Sequence, residues 1–244
     1  MRNLKFILPA IAMMAFVSSC SHNDEPTPKP DEPTGKAFKG IIFAAGITNP
    51  EGNSGSVYMQ SLPDMVAGNY DNSNGIPVGF GTAPIVAKSG NIYVLPDYMG
   101  NTKAEITRYR IYSDNKWHKK GALQIPPKAA ACCVTELNSE KAYVSLQGLG
   151  SIIVFNPTTM TRIAEIDLNG LKQADTNVSP ASMVIRDGKL FVGLNQMNAQ
   201  YMPARNNIEL AVIDTKTDKV EKHIVNTSLE MSFATRPIEP GSIF

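Results

Sequence analysis

One short pattern occurs three times along the chain: a polar turn, then a strand with an aromatic residue in it. Ser89-Gly90-Asn91-Ile92-Tyr93-Val94, Ser139-Glu140-Lys141-Ala142-Tyr143-Val144 and Asp187-Gly188-Lys189-Leu190-Phe191-Val192 place Tyr93, Tyr143 and Phe191 about fifty residues apart. A fixed period of that length means repeated supersecondary units, each needing its neighbour to cover its apolar face. Each aromatic strand follows an apolar stretch (84–87, 131–135, 181–185) and precedes an alternating strand (106–111, 152–155, 210–214). A fourth strand closes each unit (118–125, 161–168, 220–225). Four antiparallel strands in roughly 40–50 residues make one blade of a β-propeller. Amphipathic helical periodicity is missing almost everywhere. A sandwich also has short strands, but it does not repeat the order apolar, aromatic, alternating, charged.

The expected fold is therefore all-β, a propeller of four-stranded blades. The first unit supplies residues 40–46, 56–62 and 66–70 as second, third and fourth strands, and 240–244 reads as the first strand of a further blade. About 3.5 blades are thus present, an incomplete or truncated ring. Composition agrees. Gly 18 and Pro 17 in 244 residues supply many turns, and 43% hydrophobic against 18% charged residues supports a packed core. A net charge of +1 gives no basic excess to hold a nucleic-acid backbone.

The N-terminus reads as an export leader over residues 1–19. Arg2 and Lys5 precede an apolar run over 6–17 that is too short for a permanent membrane span. Val17-Ser18-Ser19-Cys20 resembles the lipobox of bacterial lipoproteins, in which Cys20 becomes the lipid-modified first residue. The stretch after it carries four prolines and no large apolar side chain over 21–36, so residues 20–36 are expected to form a solvated tether to a propeller domain over 37–244. Asn23-Asp24-Glu25 resembles the acidic signal that sends Bacteroidetes lipoproteins to the outer cell surface. The expected location is the outer membrane, lipid-anchored and surface-exposed.

The segments Ile152-Ile153-Val154-Phe155-Asn156-Pro157-Thr158-Thr159 and Ala211-Val212-Ile213-Asp214-Thr215-Lys216-Thr217 resemble the strand and turn of propellers in the YVTN and quinoprotein-like group. There the Asp or Asn and the Thr hydrogen-bond the turn backbone. With the leader, the first unit Ile41-Ile42-Phe43-Ala44-Ala45-Gly46 and Gly55-Ser56-Val57-Tyr58-Met59, the strand Thr107-Arg108-Tyr109-Arg110-Ile111 and the closing Thr235-Arg236-Pro237, the chain resembles the DUF4374 group of Bacteroidetes surface lipoproteins. That resemblance implies capture of a small ligand, a ferric siderophore above all, and its transfer to a TonB-dependent outer-membrane transporter. The alternatives are a protein-binding or structural propeller of an envelope complex, and a fragment of a quinoprotein-like enzyme.

Strands running outward as A, B, C, D put the D–A and B–C loops on one face, where propellers usually take ligands. The B–C loops are 97–104, 147–150 and 195–207. From them come Asp97, Tyr98, Gln147, Asn195, Gln196, Tyr201, Met202 and Arg205 as candidate ligand residues, and a D–A loop adds Arg236. Arg205 has the planar fork that matches carboxylate or catecholate oxygens, and Tyr201 can stack on a ring. Arg108 and Arg110, with Trp117, His118, Lys119 and Lys120, form an outer hairpin expected to face solvent. Cys132 and Cys133 are either a vicinal disulfide or two reduced, buried residues of an inner strand. The histidines show no metal spacing, and there is no GxSxG, HExxH or phosphate-binding glycine loop. No metal, no cofactor and no enzymatic activity is expected.

Overall fold

The computed structural model describes residues 40–45, 55–61, 76–78, 84–96, 104–112, 116–199 and 208–227. Three four-stranded antiparallel sheets follow one another, each with its strands in chain order. Blade 1 is β4 (Pro84–Val86), β5 (Ile92–Val94), β6 (Glu105–Ile111) and β7 (Trp117–Gln124). Blade 2 is β8 (Ala131–Glu136), β9 (Ala142–Leu146), β10 (Ser151–Asn156) and β11 (Thr161–Asp167). Blade 3 is β12 (Pro180–Arg186), β13 (Lys189–Leu194), β14 (Ile208–Asp214) and β15 (Lys219–Asn226). Before them stands a three-stranded sheet of β1 (Gly40–Ala45), β2 (Gly55–Ser61) and β3 (Ile76–Val78). This is the propeller architecture the repeat implied, three blades and a part-blade among the described residues. One strand falls elsewhere than expected. The third strand of the first sheet is Ile76–Val78, whereas residues 66–70 and 240–244 lie outside the described residues. Pro77 stands opposite Ser56 of β2, and β3 is an edge strand among the described residues, the position where strands tolerate proline.

The blades hold together through their faces. In β9, Ala142, Val144 and Leu146 pack toward blade 1 with Tyr93, Ile106 and Leu123, while Tyr143 packs toward blade 3 with Leu190 and Val192. In β10, Ile153 and Phe155 take the first side, Ile152 and Val154 the second. Successive side chains of a strand point to opposite faces, and both faces here are covered. That is why the B strands read as apolar runs instead of alternating. Burying one such large side chain stabilises by roughly 1.5–3 kcal/mol. Tyr93 meets Phe155 edge to face, ring centroids 6.1 Å apart.

Polar links cross the same seams. Tyr93 Oη donates to Glu136 Oε1 at 2.5 Å, and Tyr143 Oη donates to Asp218 Oδ1 at 2.9 Å. Burial, then the neighbouring carboxylate, pushes both phenols well above their ordinary value, so both remain donors. Lys141 Nζ pairs with Asp218 at 2.7 Å and donates to Thr215 O at 2.8 Å. Arg108 departs from the expected solvent-facing position. Its guanidinium donates to Pro157 O at 2.5 Å and Thr158 O at 3.1 Å, clamping blade 1 to the C–D turn of blade 2. Arg110 folds back onto Ser89 O at 2.5 Å. Alternation places both arginines on one side of β6, and that side near Arg108 meets the next blade.

The turns explain the repeated Asp/Asn-Thr motif. Asn156 Oδ1 accepts from the N–H groups of Thr158 and Thr159, and Asp214 Oδ1 from those of Lys216 and Thr217. Each turn closes on a left-handed residue, Met160 (φ 57) or Asp218 (φ 56). The outermost strands repeat a further detail. Lys120, Ile163 and Glu221 are each an extra residue opposite the same point of the C strand.

Two outcomes test these contacts. Tyr143→Phe removes the hydroxyl link to blade 3 and should destabilise the fold by about 1 kcal/mol, lowering the melting temperature by about 2–4 °C. Asp214 is held well below the usual carboxylate range, first by the Lys189 ammonium at 2.7 Å and then by the Thr217 N–H. A lowered folded value makes its contribution fully present above the ordinary value of about 4 and lost on acidification below it. Asp214→Asn should therefore melt earlier than wild type at pH 7, with the gap narrowing as pH falls below 4, measured by circular dichroism.

Candidate functional site

The D–A and B–C loops meet on one face, as the topology requires. The start of each B–C loop bonds the end of the preceding D–A loop in the same way twice. Gln147 N–H donates to Ala130 O at 3.1 Å and Gly148 N–H to Ala129 O at 2.9 Å; Asn195 N–H donates to Ser179 O at 3.1 Å and Gln196 N–H to Val178 O at 3.2 Å. Gln147 and Asn195 thus occupy one register position in adjacent blades, and both are buried. The close approach demands glycine at position 148, where a Cβ would stand 2.3 Å from Lys128 O.

Backbone strain gathers at this face. Lys128 (φ 59), Ala130 (φ 47), Asp175 (φ 61), Ser179 (φ 48) and Gln196 (φ 45) all adopt the left-handed region that favours glycine. Such residues persist only where surrounding structure enforces them, and they concentrate at ligand sites. Ala130 and Ser179 are equivalent, each ending its D–A loop immediately before an inner strand.

Beneath the rim lies a network that sequence reading missed. Glu209 is fully buried. Its Oε2 accepts from Gln196 Nε2 at 2.9 Å and lies 2.9 Å from His223 Nε2, while Oε1 faces Gln173 Nε2 at 3.4 Å. Gln196 also accepts from Gln173 N–H at 3.0 Å and Thr176 Oγ1 at 2.8 Å, and donates to Leu171 O at 3.1 Å. The side chain of Gln196 is therefore engaged inside the protein, tying residues 171–176 to β14. The signal was present in the sequence. In the alternating strand Ile208–Asp214, Glu209 falls in phase with the buried Ala211 and Ile213.

Asn195, held between Ser179 and this network, is only 7% exposed. Its Oδ1 is buried with no hydrogen-bond partner among the described residues. Asp97, Tyr98, Tyr201, Met202, Arg205 and Arg236 lie outside the described residues, as does Cys20. Cys132 and Cys133 stand as thiols, not as a disulfide. Cys132 is the extra residue of a bulge in β8, and burial pushes the Cys133 thiol up to about 11. Cys133 N–H donates to Ser145 Oγ, which donates to Ala181 O of blade 3 at 2.7 Å. Among the described residues no group of three His, Cys, Asp or Glu side chains is placed to hold a metal ion.

No protein-family model and no curated protein sequence matches the chain. Solved propellers resemble it. Hydrazine synthase of Kuenenia stuttgartiensis is 15% identical over 75% of this chain and 45% of its own, with a TM-score of 0.47. The dihydro-heme d1 dehydrogenase NirN is 10% identical over 75% of this chain and 34% of its own, with a TM-score of 0.44. The Dos1 propeller is 12% identical over 72% of this chain and 43% of its own, with a TM-score of 0.48. The chain spans less than half of each, and the likeness is one of fold. It also corrects one expectation. Two of these propellers are named as enzymes, so the architecture gives no ground for excluding catalysis, and at 15% and 10% identity neither assigns one.

Gln196→Leu should cost about 2 kcal/mol by stranding the Gln173 N–H and taking one donor from Glu209 Oε2. Hydrogen exchange at the Gln173 amide should then accelerate by about 30-fold, while amides of β9 keep their protection.

Proposed function

We propose that this chain is a lipid-anchored, surface-exposed outer-membrane protein of the DUF4374 kind, whose propeller binds a small ligand on the face of its D–A and B–C loops. The ligand is a ferric siderophore, passed on to a TonB-dependent transporter. The observation that carries the reading is the paired rim, where Gln147 and Asn195 are buried polar groups at one register, set on left-handed backbone at Ala130 and Ser179. A buried polar rim over strained backbone is a frequent form of binding site. On the opposite face, the A–B and C–D turns follow ordinary turn chemistry, with the Asp187-Gly188 hairpin and the Asp214 turn as examples. The lipid anchor rests on the leader and Cys20, the cargo and transporter on the family resemblance. With a net charge of +1, nothing favours a nucleic-acid partner.

Thermal unfolding of the full chain in detergent tests the cargo. A ligand of the native state alone stabilises by mass action, so a ferric tris-catecholamide siderophore at about 100 times its dissociation constant should add about 2.7 kcal/mol. The iron-free siderophore should give a smaller rise in melting temperature. Equal curves with and without the ferric complex would remove the siderophore reading.

A further inference from the structure

Asn195 is a buried amide in a rigid setting. Its N–H is bonded to Ser179 O, and the next residue, Gln196, is locked by four side-chain hydrogen bonds to Gln173, Thr176, Leu171 and Glu209. Other buried polar side chains of this region, Ser145, Glu209 and Gln196, all have partners within the chain. Asn195 Oδ1 has none among the described residues. A desolvated carbonyl oxygen without a donor is costly, and folded chains keep few such groups. The position also belongs to a series. Asp97, Gln147 and Asn195 each stand four residues after the repeated aromatic, Tyr93, Tyr143 and Phe191. All three side chains carry acceptor oxygens, and Gln147 shares the register of Asn195 in the neighbouring blade.

We infer that Asn195 Oδ1 contacts the ligand directly, and that the group placed there is a hydrogen-bond donor, an amide N–H, a hydroxyl or an ammonium. The inference rests on the reading of this face as the binding face and adds the chemistry that the face selects. A ligand presenting only acceptor oxygens at this point leaves two desolvated acceptors facing each other and is rejected. The Gln196–Glu209 network acts as support, fixing the backbone from which Asn195 projects.

The test uses the full chain in detergent as wild type, Asn195→Leu and Asn195→Ala. Leu matches the amide in bulk, and Ala removes the oxygen without adding any. Without ligand, at least one variant should melt at or above the wild-type temperature, because no bond of Oδ1 among the described residues is lost. A fall of more than about 3 °C in both means that Oδ1 is bonded inside the protein, and overturns the proposal. Titration with a ferric tris-catecholamide, whose amides carry N–H groups, should give an affinity at least about tenfold weaker in both variants, the worth of one hydrogen bond. Unchanged affinity overturns the proposal and leaves the siderophore reading standing. If the wild type takes no siderophore, that reading fails alone. The ligand-free melting then decides whether the acceptor is unpartnered, a fall in both variants again overturning the proposal.

Discussion

Everything in this chain depends on sheets that are apolar on both faces. A blade such as β8–β11 cannot stand alone, because Val144, Ile153 and Phe155 require cover on one side while Tyr143, Ile152 and Val154 require it on the other. Face-to-face packing of consecutive sheets satisfies both, and it fixes the direction in which every loop emerges. The phenols of Tyr93 and Tyr143 then reach across each seam to a carboxylate, which sets the register of one blade on the next. Dispersion and burial supply the stability; the few cross-seam hydrogen bonds supply the geometry.

From that arrangement the two faces of the molecule acquire different characters. The described A–B and C–D turns are short and are closed by side chains of their own, as Asn138, Asn156 and Asp214 show. The D–A and B–C loops bond to one another, pulling Lys128, Ala130, Ser179 and Gln196 into left-handed backbone and burying Gln147 and Asn195 at the rim. Glu209 sits below as a buried carboxyl group, ringed by Gln173, Gln196 and His223. A buried carboxyl group so surrounded specifies one arrangement of the loop above it, since any other leaves it without its hydrogen-bond partners.

The repeat was legible because its causes are local. Strand order, the aromatic of each B strand and the Asp/Asn-Thr turns follow from alternation and turn chemistry, and the sheets of blades 1 to 3 fall where the pattern put them. What was not legible depended on neighbours distant in sequence. Arg108 looked solvent-facing because one strand cannot reveal that the carbonyls of Pro157 and Thr158 lie against it. Ile76–Val78 was not read as a strand; edge position, where a strand tolerates Pro77, is a property of the sheet. Gln196 read as a ligand residue, yet its partners come from residues 171–176 and β14. Glu209 was visible as a polar residue in a buried phase, but its role required knowing that His223 pairs beside it.

The central claim is that ligand binds where the D–A and B–C loops meet. Hydrogen exchange of the full chain with and without a ferric tris-catecholamide siderophore tests it most directly. The account predicts added protection at the amides of Gln147, Gly148, Asn195 and Gln196 and in residues 171–179, with the turns at Asp187 and Asp214 unchanged. Protection confined to those opposite turns, or to the outer strands β7, β11 and β15, would contradict it.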